Sequence, residues 1–227
     1  ENVLAWRIVR LHSAEHSQVK RFTWGSDMLR RLSIKSTMAA ATMTPITQLI
    51  AACALLKARG ANFRCVIVGE DGSAGPALRA QIEALNVADR VQLRGAVTQD
   101  LLREIYRGAR AFALPCRVME DGDRDGFPNV LAEAMAMGVP VVSTPISGIP
   151  EMIDDRVHGL LVEGSAASLA DAVQRLLGDS RLHAHIAQAA RERICERFDS
   201  RRTTVELRDL FVAQLMQSQL ALREITA

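Results

Sequence analysis

Across the 25 residues from Gly126 to Pro150 a single side chain can ionise, and it is a carboxylate, Glu133. It sits among Ala132, Ala134, Met135 and Ala136, a setting that predicts a tightly packed, largely buried helix. Burying an unpaired carboxylate costs several kcal/mol, so Glu133 needs donors. The sugar hydroxyls of a nucleotide would serve, because one carboxylate accepts two hydrogen bonds at once. Just ahead of it runs Asp125-Gly126-Phe127-Pro128, a loop-to-helix junction. Proline is favoured in a helix's first turn, where its missing N–H costs nothing, and glycine lets backbone come close to a ligand. Free amides and the positive end of the helix dipole then make a seat for a phosphate. Two plainer readings stand beside this one: Asp125 as a helix cap, worth about 1 kcal/mol, and Glu133 pointing at solvent. Glu120, Asp121 and Asp123 read as a solvated loop, and Glu151 as a cap on a short helix.

Other candidate chemistry is weaker. His12 and His16 stand four apart with no third ligand in view, and His183 and His185, two apart on a helix, face different ways. His158 precedes Gly159 in a turn. The four cysteines, Cys53, Cys65, Cys116 and Cys195, form no CxxC pair. No metal site is expected, and reduced thiols in a cytoplasmic protein are the simplest account.

The elements that must hold these groups are legible from residue 48 onward. Gln48–Arg59 reads as a helix stopped by Gly60, and Arg64–Val68 as a strand buried on both faces. Strands follow at Val91–Leu93, Ala111–Leu114, Pro140–Ser143 and Gly159–Val162. Helices fall at Pro76–Val87, Asp100–Arg107, Pro128–Met137 and Leu169–Leu177, with helical pattern throughout 179–223. Strands alternating with helices at this spacing predict an α/β fold: a Rossmann-like parallel sheet with helices on both faces and a long helical C-terminal tail. Ligands of such sheets bind beyond the carboxyl ends of the strands. Three parts are expected: an irregular lead-in over 1–47, a Rossmann-like domain over 48–200 and a C-terminal helix over 201–227.

Composition narrows the function classes. Hydrophobic residues make up 48% of the 227 and charged residues 24%, enough apolar material for a core. Aromatics at 4% disfavour a base-stacking single-strand platform, and a net charge of +2 gives no reason to expect nucleic acid as a partner. The charge is uneven: residues 1–47 hold seven Lys/Arg against three acidic residues. The longest apolar run, Leu49–Leu56, is far short of the roughly 20 residues that span a bilayer. The N-terminus lacks the layout of a secretory signal, and it opens on Glu1, as an interior piece of a longer chain would.

Taken together, the motifs resemble the donor-binding signature of glycosyltransferase family 4. The resemblance is carried by Asp125-Gly126-Phe127-Pro128-Asn129-Val130-Leu131-Ala132-Glu133-Ala134-Met135-Ala136, with seven residues between its two carboxylates, and by Gly138-Val139-Pro140-Val141-Val142. It continues in Ser147-Gly148-Ile149-Pro150-Glu151, in His158-Gly159-Leu160-Leu161-Val162, in Val66-Ile67-Val68-Gly69 and in Val91-Gln92-Leu93-Arg94-Gly95. The acidic lead-in Gly122-Asp123-Arg124-Asp125 is similar to that of bacterial exopolysaccharide and colanic-acid enzymes, and coverage runs from about residue 48 to about 200.

The resemblance implies the C-terminal half of a GT-B fold, two Rossmann-like domains with the active site between them. It implies a retaining, metal-independent hexosyltransferase-type enzyme of polysaccharide biosynthesis, without cofactor. The donor would be a UDP- or GDP-linked sugar and the acceptor a glycan or a lipid-linked glycan. The full-length parent would be a cytoplasmic protein, associating peripherally with the inner face of the membrane. By motif position Glu133 would hold the ribose hydroxyls and Asp125, where the family usually has glutamate, would face the donor sugar. Backbone at Gly126, Phe127 and around Pro128 would approach sugar and phosphate, and Arg94 and Gly95 would lie near the base.

Two departures stand out. The acceptor domain does not precede the recognisable part, and the family's Gly-Arg loop and following lysine, which clamp the diphosphate, have no match before Gln48. The stretch 1–47 is therefore expected to lie outside the family's native frame. Losing those cations removes charge-assisted hydrogen bonds worth about 1.5–3 kcal/mol each. This keeps an alternative open for the chain alone, a non-catalytic nucleotide-binding half-domain. A nicotinamide-dependent oxidoreductase is disfavoured, because Gly69-Glu70-Asp71-Gly72 lacks the G-x-G-x-x-G spacing.

Overall fold

The computed structural model describes residues 45–70, 72, 74–118, 124 and 126–225, with backbone alone for 215–225. The first described helix, α1, covers residues 45–58, so it begins ahead of Gln48, with Pro45 in its first turn. There follow β1 (Cys65–Val68), α2 (Gly75–Ala84), β2 (Val91–Arg94), α3 (Gln99–Gly108), β3 (Phe112–Leu114), α4 (Asn129–Ala136) and β4 (Val141–Ser143). The chain ends in α5 (Ile149–Met152), β5 (Leu160–Leu161), α6 (Ala166–Gly178), α7 (Ser180–Arg197) and α8 (Ser200–Ile225).

All strand pairing is parallel, as the alternation of elements predicts. The strands form two sheets, β1–β2 and β3–β4–β5, and β1 does not pair with β3. Helices cover both faces of the three-stranded sheet. Val141 packs with Leu131, Met135, Ile149, Met152 and Ile194, whereas its neighbour Val142 packs with Leu56, Leu160, Leu169, Leu176 and Ile186. The two residues face opposite ways because side chains alternate along a strand. A third cluster, Ile50, Cys53, Leu78, Ile82, Val87 and Val91, joins α1 and α2 to the two-stranded sheet.

The turn between α4 and β4 shows how local sequence sets the layout. Gly138 takes φ +73, and two bonds close the helix, Gly138 N–H to the Met135 carbonyl and Val139 N–H to the Ala134 carbonyl. That 6→1 and 5→2 pattern needs a left-handed residue, which glycine supplies at no steric cost.

The helical pattern over 179–223 is interrupted. Phe198 and Asp199 separate α7 from α8, and the Asp199 carboxylate accepts from the Arg201 N–H, restarting the helix. Beyond the break, every side chain from 201 to 214 is exposed, with Leu207 53%, Leu210 68% and Phe211 62% exposed. No helix among the described residues is long and apolar enough to cross a membrane.

The tightest backbone approach in the sheet is at Gly159. A Cβ there would lie 2.7 Å from Val141 Cγ2 and 3.0 Å from both the Val141 carbonyl oxygen and Ile153 Cγ2. Gly159→Ala should lower stability by about 1–3 kcal/mol, read as a lower denaturant midpoint at unchanged slope.

Candidate functional site

The carboxyl ends of β3 and β4 are pinned to each other by buried hydroxyls. Ser143 Oγ donates to the Leu114 carbonyl and Thr144 Oγ1 to the Cys116 carbonyl, each at 2.7 Å. Both side chains are buried, so each bond replaces hydration that the site has lost. The loops that leave the two strands therefore start from fixed positions.

Those loops meet again farther out. The Gly148 N–H donates to the Gly126 carbonyl at 2.8 Å. A Cβ at Gly148 would lie 2.9 Å from that oxygen and 3.1 Å from Phe127 Cδ2, so the approach excludes any side chain there. The neighbouring Ser147 holds φ +51. The Phe127 ring also packs on Phe198, centroids 5.3 Å apart, which ties the junction to the end of α7.

Pro128 occupies the cap position of α4, one residue ahead of the first turn where the sequence suggested it, and no side chain caps this terminus. Asp125 lies outside the described residues, as do Glu120, Asp121 and Asp123. The junction thus presents an uncapped helix N-terminus beside exposed Gly126 and Phe127, the arrangement that suits an anion.

Glu133 is exposed, which corrects the expectation of a buried acid. The buried stripe of α4 is Leu131, Ala134 and Met135. At 100° per residue, Glu133 lies about 200° from Leu131, on the opposite face. A run without other ionisable residues reported only that its neighbours are packed. Glu133 follows Asn129 by four residues, a rise of about 6 Å along the helix from the uncapped end.

Tyr106 of α3 is a titrating neighbour of Glu133. Tyr106 is buried, its hydroxyl lies 3.4 Å from the Val130 carbonyl, and its ring meets Phe112 edge-on at 5.8 Å. Burial, and then the Glu133 carboxylate, push its pKa up to about 12. Arg94 and Gly95 are also exposed, at the carboxyl end of β2. They belong to the other sheet, and no described bond links them to the α4 junction. The structure therefore brings Gly126, Phe127 and Pro128 together with the 147–148 turn, places Glu133 farther along the same helix, and sets Arg94 and Gly95 at the carboxyl end of β2.

Three supporting residues, Tyr106, Thr144 and Phe198, were not singled out in the sequence. Tyr106 alone carried a signal, as the sole tyrosine of the chain. That makes its titration readable by tyrosinate absorbance. The folded chain keeps the phenolic proton to about pH 12, whereas an ordinary phenol releases it near 10.0. Its contribution to stability is full below pH 10 and is lost as pH rises through 12. Glu133→Gln should move the absorbance midpoint down toward 10.0 without reaching it, because burial, the larger cause, remains. A midpoint unmoved by the substitution would mean that the two side chains do not interact.

The chain is similar to known proteins in sequence and in fold. A family profile described as glycosyl transferases group 1 matches residues 36–179. The amylovoran biosynthesis glycosyltransferase AmsK of Erwinia amylovora is 37% identical over 151 residues, 66% of this chain and 37% of that protein. The putative colanic acid biosynthesis glycosyltransferase WcaL of Escherichia coli K12 is 38% identical over 172 residues, 72% of this chain and 41% of that protein. The chain thus spans about two fifths of the length of these relatives. Among solved structures, the sucrose-phosphate synthase of Thermosynechococcus elongatus superposes with a TM-score of 0.64 at 25% identity, covering 75% of this chain and 43% of that one. With well over half of its length matched by the profile, and with the parallel α/β architecture of GT-B glycosyltransferases, the chain belongs to the group 1 glycosyl transferases.

Proposed function

We propose that this chain is the donor half of a retaining glycosyltransferase, of family 4 type, that takes a sugar from a nucleotide diphosphate and passes it to a glycan or lipid-linked acceptor in polysaccharide assembly. The observation that carries the reading is the uncapped N-terminus of α4, held against Gly148 by backbone and followed along the helix by the exposed carboxylate of Glu133. The amides around Gly126 to Asn129 receive the diphosphate, where the helix dipole favours negative charge. Glu133 accepts from the ribose hydroxyls, and Tyr106, behind it, braces α4. Because Glu133 is exposed, its part in the reading rests on its place along α4 and not on burial.

In this reading the sugar is transferred with retention. As the sugar–phosphate bond breaks, negative charge grows on the leaving diphosphate, and groups already oriented toward it lower the barrier. The diphosphate oxygen then takes the acceptor's proton, so no side chain of this half has to serve as general base. Asp125 faces the donor sugar, and Arg94 and Gly95 approach the base. The acceptor side of the cleft belongs to the remainder of a longer protein, a proposal that fits the two-fifths span of this chain on its relatives.

Titrating UDP and GDP, with and without their sugars, into the purified chain by calorimetry tests the reading. At least one should bind at millimolar strength or better, about −4 kcal/mol or more. Glu133→Ala should weaken it about 10- to 100-fold, the loss expected for hydrogen bonds to a charged group. Gly148→Ala, which pushes the 147–148 turn off Gly126, should weaken binding as well. Binding that ignores both substitutions, or no binding at all, would remove the proposed site.

A further inference from the structure

Helix α1 and strand β1 meet through two sulfurs. Ile50 and Cys53 lie one turn apart on α1 and share a face, which packs with Leu78, Ile82, Val87 and Val91. Cys65 and Ile67, two residues apart and so on one side of β1, pack against the same cluster. Cys53 is buried and Cys65 is half-buried, and the two thiols hydrogen-bond each other. The other cysteines stand elsewhere: Cys116 is buried in the cluster around Val141, and Cys195 is exposed on α7. Spacing hides the pair in the sequence, because twelve positions separate its members. Only the return of the chain from α1 through residues 59–64 into β1 brings them together.

The contact gives the two thiols different characters. The hydrogen bond from Cys53 holds Cys65 below the ordinary thiol range, against the opposing effect of burial. The same bond, with burial, pushes Cys53 up. The shared proton therefore stays on Cys53 while Cys65 carries the thiolate, which is the form that attacks an electrophile. A sulfenic acid made on one cysteine condenses with a thiol beside it. Sulfurs already in hydrogen-bond contact have only to close to about 2 Å to be joined.

We propose that Cys53 and Cys65 are an oxidation site, at which a peroxide converts the two thiols into one disulfide between α1 and β1. The Cys65 thiolate attacks one peroxide oxygen, the O–O bond breaks, and hydroxide leaves with the proton that Cys65 gave up, as water. The Cys53 sulfur then attacks Cys65 Sγ, the S–O bond breaks, and the hydroxyl departs with the Cys53 proton as a second water. In all, the two thiols lose two electrons and two protons, and the peroxide is reduced to two waters. Cys53 resolves the sulfenic acid before it meets further oxidant, so the change is one that a thiol reductant reverses. The bond fastens a helix that already packs on both sheets: Ala52 and Leu56 of α1 pack with Val142 and Leu160. Its first turn, with Pro45 and Gln48, lines a cavity of about 360 Å³ shared with Pro115, Arg117 and Ser165.

Hydrogen peroxide added to the folded full chain carrying Cys195→Ser tests the proposal, with remaining thiols then blocked by N-ethylmaleimide and the chain cut with trypsin. Peptide 36–57 should be recovered joined to peptide 65–79, lighter by two hydrogens than the pair of free peptides, while Cys116 carries the blocking group. Cys53→Ala should leave the Cys65 sulfenic acid to be captured by dimedone. Cys65→Ala should slow oxidation of Cys53 about tenfold or more, since a buried thiol with a raised pKa holds little thiolate. No joined peptide would overturn the proposal, and so would joining that is as fast in denaturant as in the folded chain. Oxidation of Cys53 at an unchanged rate in Cys65→Ala would overturn the assigned order of attack. Should either alanine variant fail to fold, the chain that keeps both cysteines decides, and absence of the joined peptide there refutes the site.

Discussion

The hydrogen bond from the Gly148 N–H to the Gly126 carbonyl is the contact on which the candidate site depends. It joins the loop after β3 to the loop after β4 at a separation that no Cβ at 148 could share. The Ser143 and Thr144 hydroxyls fix where both loops begin, and the Phe127–Phe198 ring pair holds the outer one from a third direction. The uncapped amides at the start of α4 therefore need little rearrangement to meet an anion, and that preorganisation is what makes a short helix end useful.

Much of this was legible in the sequence. The alternation of apolar runs and helical stripes identified five parallel strands because buried strands and amphipathic helices leave different periods. The junction at Gly126–Pro128 was legible because proline and glycine restrict backbone in specific ways. Less legible was Glu133. Its apolar neighbours suggested burial, yet a helix eight residues long has an outer face even when that face carries few charges. Composition counts which residues are present, and only angular position decides which of them meet water. The break at Phe198 and Asp199 was hidden for a related reason: apolar residues continue at helical spacing on both sides, and the interruption depends on one aspartate bonding the backbone two residues on.

The division of the sheet was not legible either. Pattern gives strands one at a time, whereas pairing is a property of edges, and the peptide groups that form edges carry no side-chain signature. The stretch 1–47, read as unlike the family, overlaps a family match that begins at residue 36; the described structure starts at Pro45.

The ring contact between Phe127 and Phe198 also bears on the order in which the molecule is made. The two aromatics are 71 residues apart in the chain. At about 5–20 residues per second of synthesis, the loop waits roughly 4–14 s for its partner after it has itself been made. During that interval α4, β4 and β5 are themselves made, and Phe198, which steadies the junction at the start of α4, is translated after all of them. The junction ahead of α4 is thus made early and braced late, when the final turn of α7 comes home.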